Sequence, residues 1–338
     1  MQDPGDAGTA APGADASSGL PDPGSAGKPG GGITTRQRAV PLRTHGDPGP
    51  DRADSAGIPA PESASRPTPT TSDEAAAGSA PAVPDLSAYL DPATPELAGH
   101  PDPQVPVPAL MQEVAGAPVT LVWVNMVGGL TGRIDGPEPR FVKWNPKPSD
   151  ESLAQEAERM RWLEGRHPGP RVVALVDTPG AEVMVTAALP GFSAVDPRWA
   201  GRTDEVVRAV AVGLRTLHTL PAAACPFTWD VASRIEEAEA RGRTVPDLLR
   251  TPPPVDRPVV CQGDPCAPNT LLDGQGHFLA HVDLARLGVA DRWADLAVAT
   301  MSLGWNFDDV DEDLFWRTYG VEPDPGRIAY YRALWDAT

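Results

Sequence analysis

The sequence predicts an α+β chain of two lobes, the first rich in β-strands with a single long helix and the second mostly helical. Residues 119–188 hold short runs of Val, Leu, Phe, Trp and Thr separated by Gly- and Pro-containing turns, with one stretch of helical periodicity among them. After Pro190-Gly191 the apolar residues recur mainly at helical spacing. That shift marks a lobe boundary.

What precedes the lobes is of a different kind. The chain carries 41 Pro and 33 Gly, and residues 1–88 hold most of the excess, with almost no large apolar side chains. Such a segment cannot bury enough surface to offset its ordering entropy. Residues 1–103 are therefore expected to be a disordered tail and linker, 104–188 the N-lobe and 189–338 the C-lobe.

The net charge is −18, of which −5 falls on residues 1–88 (11 acidic against 6 basic side chains), leaving −13 on the lobes. An acidic domain argues against nucleic acid as partner and suits a cationic ligand, although an acidic surface also serves solubility. The three cysteines, Cys225, Cys261 and Cys266, are odd in number and form no C-x-x-C, so neither a disulfide framework nor a zinc site is expected. No apolar run is long enough to span a membrane, and the start lacks the apolar run of a signal peptide. A cytoplasmic setting is the expectation.

In chain order, Leu110–Val114 suits a short helix, and regular structure begins with the strand Val119–Val124. Gly128-Gly129-Leu130-Thr131-Gly132 leads to a second run at Arg133 and Ile134, and Arg140–Trp144 forms a third run carrying a lone Lys143. This order fits a flap over a nucleotide, while the glycines alone fit an ordinary hairpin turn equally. A helix is expected to start at Ser149-Asp150-Glu151, with Leu153, Ala157 and Met160 as its buried stripe. Glu156 lies on that stripe, so it either pairs with Lys143 or is a solvated residue at the stripe's edge. Strands follow at 171–176 and 182–188. Downstream, Val206–Leu217 and Val231–Ala240 read as helices, Thr251–Pro258 as a connector, Ala294–Leu303 as a buried segment, and two short helices lie near Leu314 and Ile328.

The densest information lies between Val259 and Leu296. An apolar run feeds Gly263-Asp264, Asn269 follows five residues later, and two β-rich runs joined at Asp273-Gly274 deliver Asp283. Oxygen-bearing side chains suit a hard cation such as Mg²⁺. D-x-x-x-x-N followed by a later Asp is the spacing of a phosphoryl-transfer loop.

The run Gln262-Gly-Asp264, Asn269, Val282-Asp283-Leu-Ala-Arg286-Leu-Gly-Val-Ala-Asp291-Arg292, Asp295-Leu-Ala297 resembles the aminoglycoside phosphotransferases, above all their 3′-phosphotransferase (kanamycin kinase) branch. Trp162–Gly165, Leu217-His218-Thr219 and Cys225-Pro226-Phe227 resemble the same branch, and the likeness runs from about residue 104 to the end. It implies a protein-kinase-like fold that uses ATP and Mg²⁺ to phosphorylate a hydroxyl of an aminoglycoside, giving resistance. Asp264 would be the catalytic carboxylate, and Asn269 and Asp283 would hold Mg²⁺. Lys143, positioned by Glu156, would meet the ATP phosphates; Phe141 would stack on adenine; Ala187–Leu189 would face its edge; and Gly129–Thr131 would cover the phosphates. Arg286, Asp291 and Asp295 would brace the loop. For a polycationic acceptor the candidates are Asp336 near the terminus and, among Asp230, Glu236, Glu237 and Glu239, the pair Glu236 and Glu239, which share a helical face. The chain departs from the family at Gln262, where His is usual, and in a short segment Glu236–Pro258. Other readings are a kinase for a different hydroxylated metabolite and a nucleotide-binding pseudoenzyme.

Overall fold

The structure, a computed structural model, describes residues 101, 105–125 and 128–338. The segment expected to be a disordered tail lies, but for Pro101, outside the described residues. The first lobe is a five-stranded antiparallel sheet in the order β1-β2-β3-β5-β4, from β1 (Thr120–Val124), β2 (Leu130–Ile134), β3 (Arg140–Pro146), β4 (Val172–Asp177) and β5 (Ala181–Ala187). Helix α1 (Ala109–Ala115) covers one face through Met111 and Ala115, which pack with Leu130, Ile134, Val142, Val183 and Val185. Alternation along β3 buries Val142 in that core and turns Phe141 and Lys143 to the other side.

Helix α2 (Leu153–Leu163) joins β3 to β4. Its start lies beyond the expected Ser149–Glu151: Ser152 is the N-cap and accepts from Gln155 N–H, while the Glu182 carboxylate, from β5, takes the amides of Leu153 and Ala154. A carboxylate on the free amides of a helix start is favourable both as acceptor and against the helix dipole. The stripe Leu153, Ala157, Met160 and Leu163 does not close on its own lobe alone. It packs with Met184 of β5 and with Leu217, Val260, Leu284 and Leu287 of the second lobe, one apolar cluster joining the two.

The second lobe holds α3 (Thr203–Leu217), α4 (Val231–Ala240), α5 (Trp293–Asn306), α6 (Glu312–Tyr319) and α7 (Pro325–Ala337). Two small antiparallel sheets lie beside them, β7 (Pro258–Cys261) with β10 (Gly288–Asp291), and β6 (Phe192–Ser193) with β8 (Thr270–Leu272) and β9 (Phe278–His281). β6 and β10 were not expected. Each is too short for periodicity to show, and each exists because a distant partner pairs with it. The β8–β9 connection also differs from a two-residue Asp-Gly turn. Asp273 accepts the amides of Gln275 and His277, both at 2.9 Å, and the left-handed residue is Gly276 (φ 95°), not Gly274. Among the described residues no helix is long and apolar enough to cross a membrane.

Candidate active site

The cleft between the lobes is lined by Lys143, Glu156, Asp264, Asp283, Arg286 and Glu237, among others. Lys143 and Glu156 meet because β3 and α2 are consecutive and face the same side. Lys143 Nζ lies 2.8 and 3.0 Å from the two Glu156 oxygens and 3.1 Å from Asp283 Oδ1. Glu156 is buried, its side chain 2% exposed, so it is no solvated edge residue. Burial alone would lower the Lys143 pKa. The charges of Asp283 and Glu156, with their hydrogen bonds, outweigh it and hold the ammonium well above its usual range. For Glu156 burial wins and raises the carboxyl, against the pull of Lys143. For Asp283 the Lys143 charge wins and lowers it.

Asp264 stands where β7 gives way to a 3₁₀ turn (Ala267–Asn269). Its approach is Gly263, with φ 93° and so little room that a Cβ would sit 2.1 Å from the Arg286 carbonyl oxygen. The loop hangs from Asp295 of α5, whose two oxygens accept the amides of Gln262 (2.6 Å) and Gly263 (3.1 Å). His218 Nε2 bonds the same carboxylate at 3.0 Å and its Nδ1 meets Tyr319 Oη at 2.8 Å. Asn269 Nδ2 donates to Asp264 O at 2.9 Å, which leaves Asn269 Oδ1 as the end free to face a cation. Burial pushes the Asp264 carboxyl up, against the neighbouring Arg286 charge and Cys266 thiol. Asp264 Oδ1 has no hydrogen-bond partner among the described residues.

Asp283 follows β9. Four residues, Leu284–Leu287, separate it from β10, and α2 holds both ends of that link: Leu284 N–H donates to Glu156 (3.3 Å) and Arg159 Nε to Leu287 O (3.0 Å). Asp291 does not touch the cleft. It accepts from Asp256 N–H (2.9 Å) and Arg327 (3.1 Å), tying the start of α5 to the preceding connector and to α7.

The remaining expected residues fall as follows. Phe141 is half-buried on the Lys143 side of β3. Thr131 lies within β2, directly paired with Lys143, and not in the turn, because the second strand starts at Leu130 and not at Arg133. Gly129 closes the turn, where a Cβ would meet Asn145 Oδ1 at 2.0 Å. At the end of β5, Ala187 N–H is spent on Arg171 O and Ala188 N–H on Pro139 O, while Leu189 O accepts from Gly191. Glu236 is exposed, and Glu239 pairs with Arg250 away from the cleft. The α4 carboxylate that lines the cleft is Glu237, paired with Arg241, whose guanidinium also reaches Asp150 O of the first lobe at 2.7 Å. Asp336 sits partly buried on α7 with its carboxyl raised to about 6 by burial, beside Trp335, whose ring lies 5.4 Å from that of Trp305.

Sequence reasoning missed Asn125, Asn145 and Glu151 on this cleft. Asn125 Nδ2 donates to Glu151 at 2.8 Å and Asn145 Nδ2 to Glu151 O at 3.1 Å, which ties the glycine turn to the approach of α2. Their only advance signal was polar side chains at the ends and edges of strands β1 and β3.

Residues 131–331 match the phosphotransferase enzyme family. The chain is 35% identical over 244 residues to an aminoglycoside 3′-phosphotransferase of Streptomyces fradiae, covering 61% of this chain and 88% of that protein. It is 33% identical over 227 residues to the streptomycin 3″-kinase of Streptomyces griseus, covering 58% and 83%. Among solved structures it resembles aminoglycoside phosphotransferase APH(3″)-Id of Streptomyces rimosus in complex with ADP and streptomycin, at 26% identity and a TM-score of 0.52 over 62% of this chain and 90% of that one. With its two-lobed architecture and the cleft described above, this chain belongs to the phosphotransferase enzyme family.

Proposed function

We propose that the protein transfers the γ-phosphoryl group of ATP to a hydroxyl of an aminoglycoside, and so confers resistance to it. The observation that carries this reading is the meeting of Asp264, Asp283 and the Lys143–Glu156 pair on one cleft, with Asn269 bonded to the Asp264 backbone beside it, in a chain whose relatives bear aminoglycoside kinase names. Assembled in this way, the machinery argues against a pseudoenzyme.

Asp264, partly buried on the cleft, would orient the acceptor hydroxyl and take its proton. Lys143, held by Glu156, would meet the ATP phosphates; Thr131 beside it and Gly129 would cover them. Phe141 would lie against adenine, and Leu189 N–H, which donates to no backbone carbonyl among the described residues, would face its edge. The donor set fits Mg²⁺: the Asp283 carboxylate, about half exposed on the cleft, and Asn269 Oδ1 are hard oxygen donors. Bound there, the cation would neutralise phosphate charge. Glu237, on the cleft, would meet an ammonium group of the acceptor, with Asp336 near the C-terminus as a second candidate. Phosphorylation removes positive charge from a polycation and weakens its hold on RNA phosphates.

The test is ATP consumption across kanamycin, neomycin and streptomycin with magnesium, using a neutral polyol as control. Stimulation by an aminoglycoside is expected. Stimulation by the polyol alone would overturn the antibiotic reading.

A further inference from the structure

Gln262 connects the two loops that carry the chemistry. It is fully buried between β7 and Asp264. Its backbone N–H goes to Asp295, and its side chain reaches in the other direction. Oε1 accepts Asp264 N–H at 2.6 Å, while Nε2 donates to Val282 O at 3.0 Å and to Asp283 O at 3.1 Å. One amide thus bonds the backbone of Asp264 and the backbone on both sides of the Val282–Asp283 link.

The second loop needs that support. Asp283 has φ 57°, and it is the only non-glycine residue with positive φ among the described residues. A backbone in that region persists when its surroundings over-determine it. Here they do. Val282 N–H bonds Asn269 O at 2.9 Å, Leu284 N–H bonds Glu156, and the two carbonyls between these amides both face Gln262 Nε2. The direction of the Asp283 carboxylate follows from this backbone.

We infer that Gln262 is a positioning residue, one that sets Asp283 against Asp264 and so fixes the separation between the cation's ligand and the base. The inference rests on the phosphotransferase reading. It also changes how the departure at this position is understood. A neutral imidazole offers one donor and one acceptor, whereas the amide offers two N–H groups and a carbonyl oxygen. The three bonds in place use both ends of the amide, so glutamine here is a fitted part of the loop and no impaired stand-in for histidine.

The experiment compares wild type with Gln262→His, Gln262→Met and Gln262→Glu. For each, ADP affinity is measured with magnesium and with EDTA, together with kcat, the KM for ATP and the melting temperature. Histidine can keep one donor and one acceptor, methionine keeps neither, and glutamate sets a carboxylate against two carbonyl oxygens. The gain in ADP affinity from magnesium should fall in the order Gln, His, Met, Glu, with the loss about 10-fold or more at Glu, while affinity in EDTA stays within about 3-fold. The kcat should follow the magnesium-dependent gain, and the KM for ATP at saturating magnesium should change less. Equal losses with and without magnesium, or a melting shift with the magnesium gain and kcat intact, would overturn the inference. Should Gln262→Glu fail to fold, the His and Met variants carry the comparison. A wild type whose ADP affinity ignores magnesium would instead contradict the phosphotransferase reading itself.

Discussion

The ammonium of Lys143 lies 2.8 Å from a carboxylate oxygen of Glu156, and the Glu156 side chain is only 2% exposed. The pair links β3 to α2, and through Asp283 it links both to the second lobe. Removing Glu156 leaves Lys143 with Asp283 alone and strands Leu284 N–H. Glu156→Ala should therefore cost roughly 2–3 kcal/mol of stability and raise the KM for ATP about tenfold or more. Thermal melts and ATP titrations check both.

Gly263→Ala tests the loop backbone. The new Cβ would meet the Arg286 carbonyl at 2.1 Å with φ at 93°, and both are backbone constraints that no side chain can relieve. Turnover should be lost and stability should fall by more than about 1 kcal/mol. A variant that melts and turns over like the wild type would show that the loop tolerates another path.

Asp264→Asn keeps the shape of the side chain and removes its basicity. Phosphoryl transfer should fall by about 10²–10⁴ while nucleotide binding persists. Comparable loss of ATP affinity would count against its role as base.

Glu237→Ala should raise the KM for an aminoglycoside by about 10-fold, the scale of one charge-assisted hydrogen bond. Glu236→Ala and Glu239→Ala should not, since of the three only Glu237 lines the cleft. Steady-state kinetics on the three variants decides between the faces of α4.

Asp336 contributes one part of the pH dependence. Burial raises its carboxyl from 3.8 to about 6, so the folded state holds this proton more tightly than the unfolded one. The group therefore costs stability as pH rises from about 4 through 6. Asp336→Asn should melt higher than wild type at pH 7.5, by roughly 1 kcal/mol after allowing for partial exposure, and equally at pH 4. If Asp336 meets an ammonium group of the acceptor, the wild-type KM for that acceptor should rise below about pH 6 and the variant's should not.

Local pattern made most of the elements legible. The helix Val231–Ala240 lies where its periodicity placed it, while a lone lysine on a strand and a carboxylate on a buried stripe left the pairing of Lys143 with Glu156 and a solvated Glu156 both open, and the burial of Glu156 decided between them. What stayed hidden depends on groups distant in sequence. The start of α2 is set by Glu182, about thirty residues on, and β10 exists through its pairing with β7. Along α4, a carboxylate one residue away points about 100° elsewhere, so choosing Glu237 over Glu236 needed the neighbouring lobe. The left-handed turn at Asp283 has no sequence signal at all, since aspartate seldom adopts it and the bonds that hold it come from Gln262, Asn269 and Glu156.

The four-residue link from Asp283 to β10 bears on control. With both of its ends already fastened to α2, this link needs no ordering step of its own before Lys143, Glu156 and Asp283 come together. Progress curves should then start without a lag from the settling of this link.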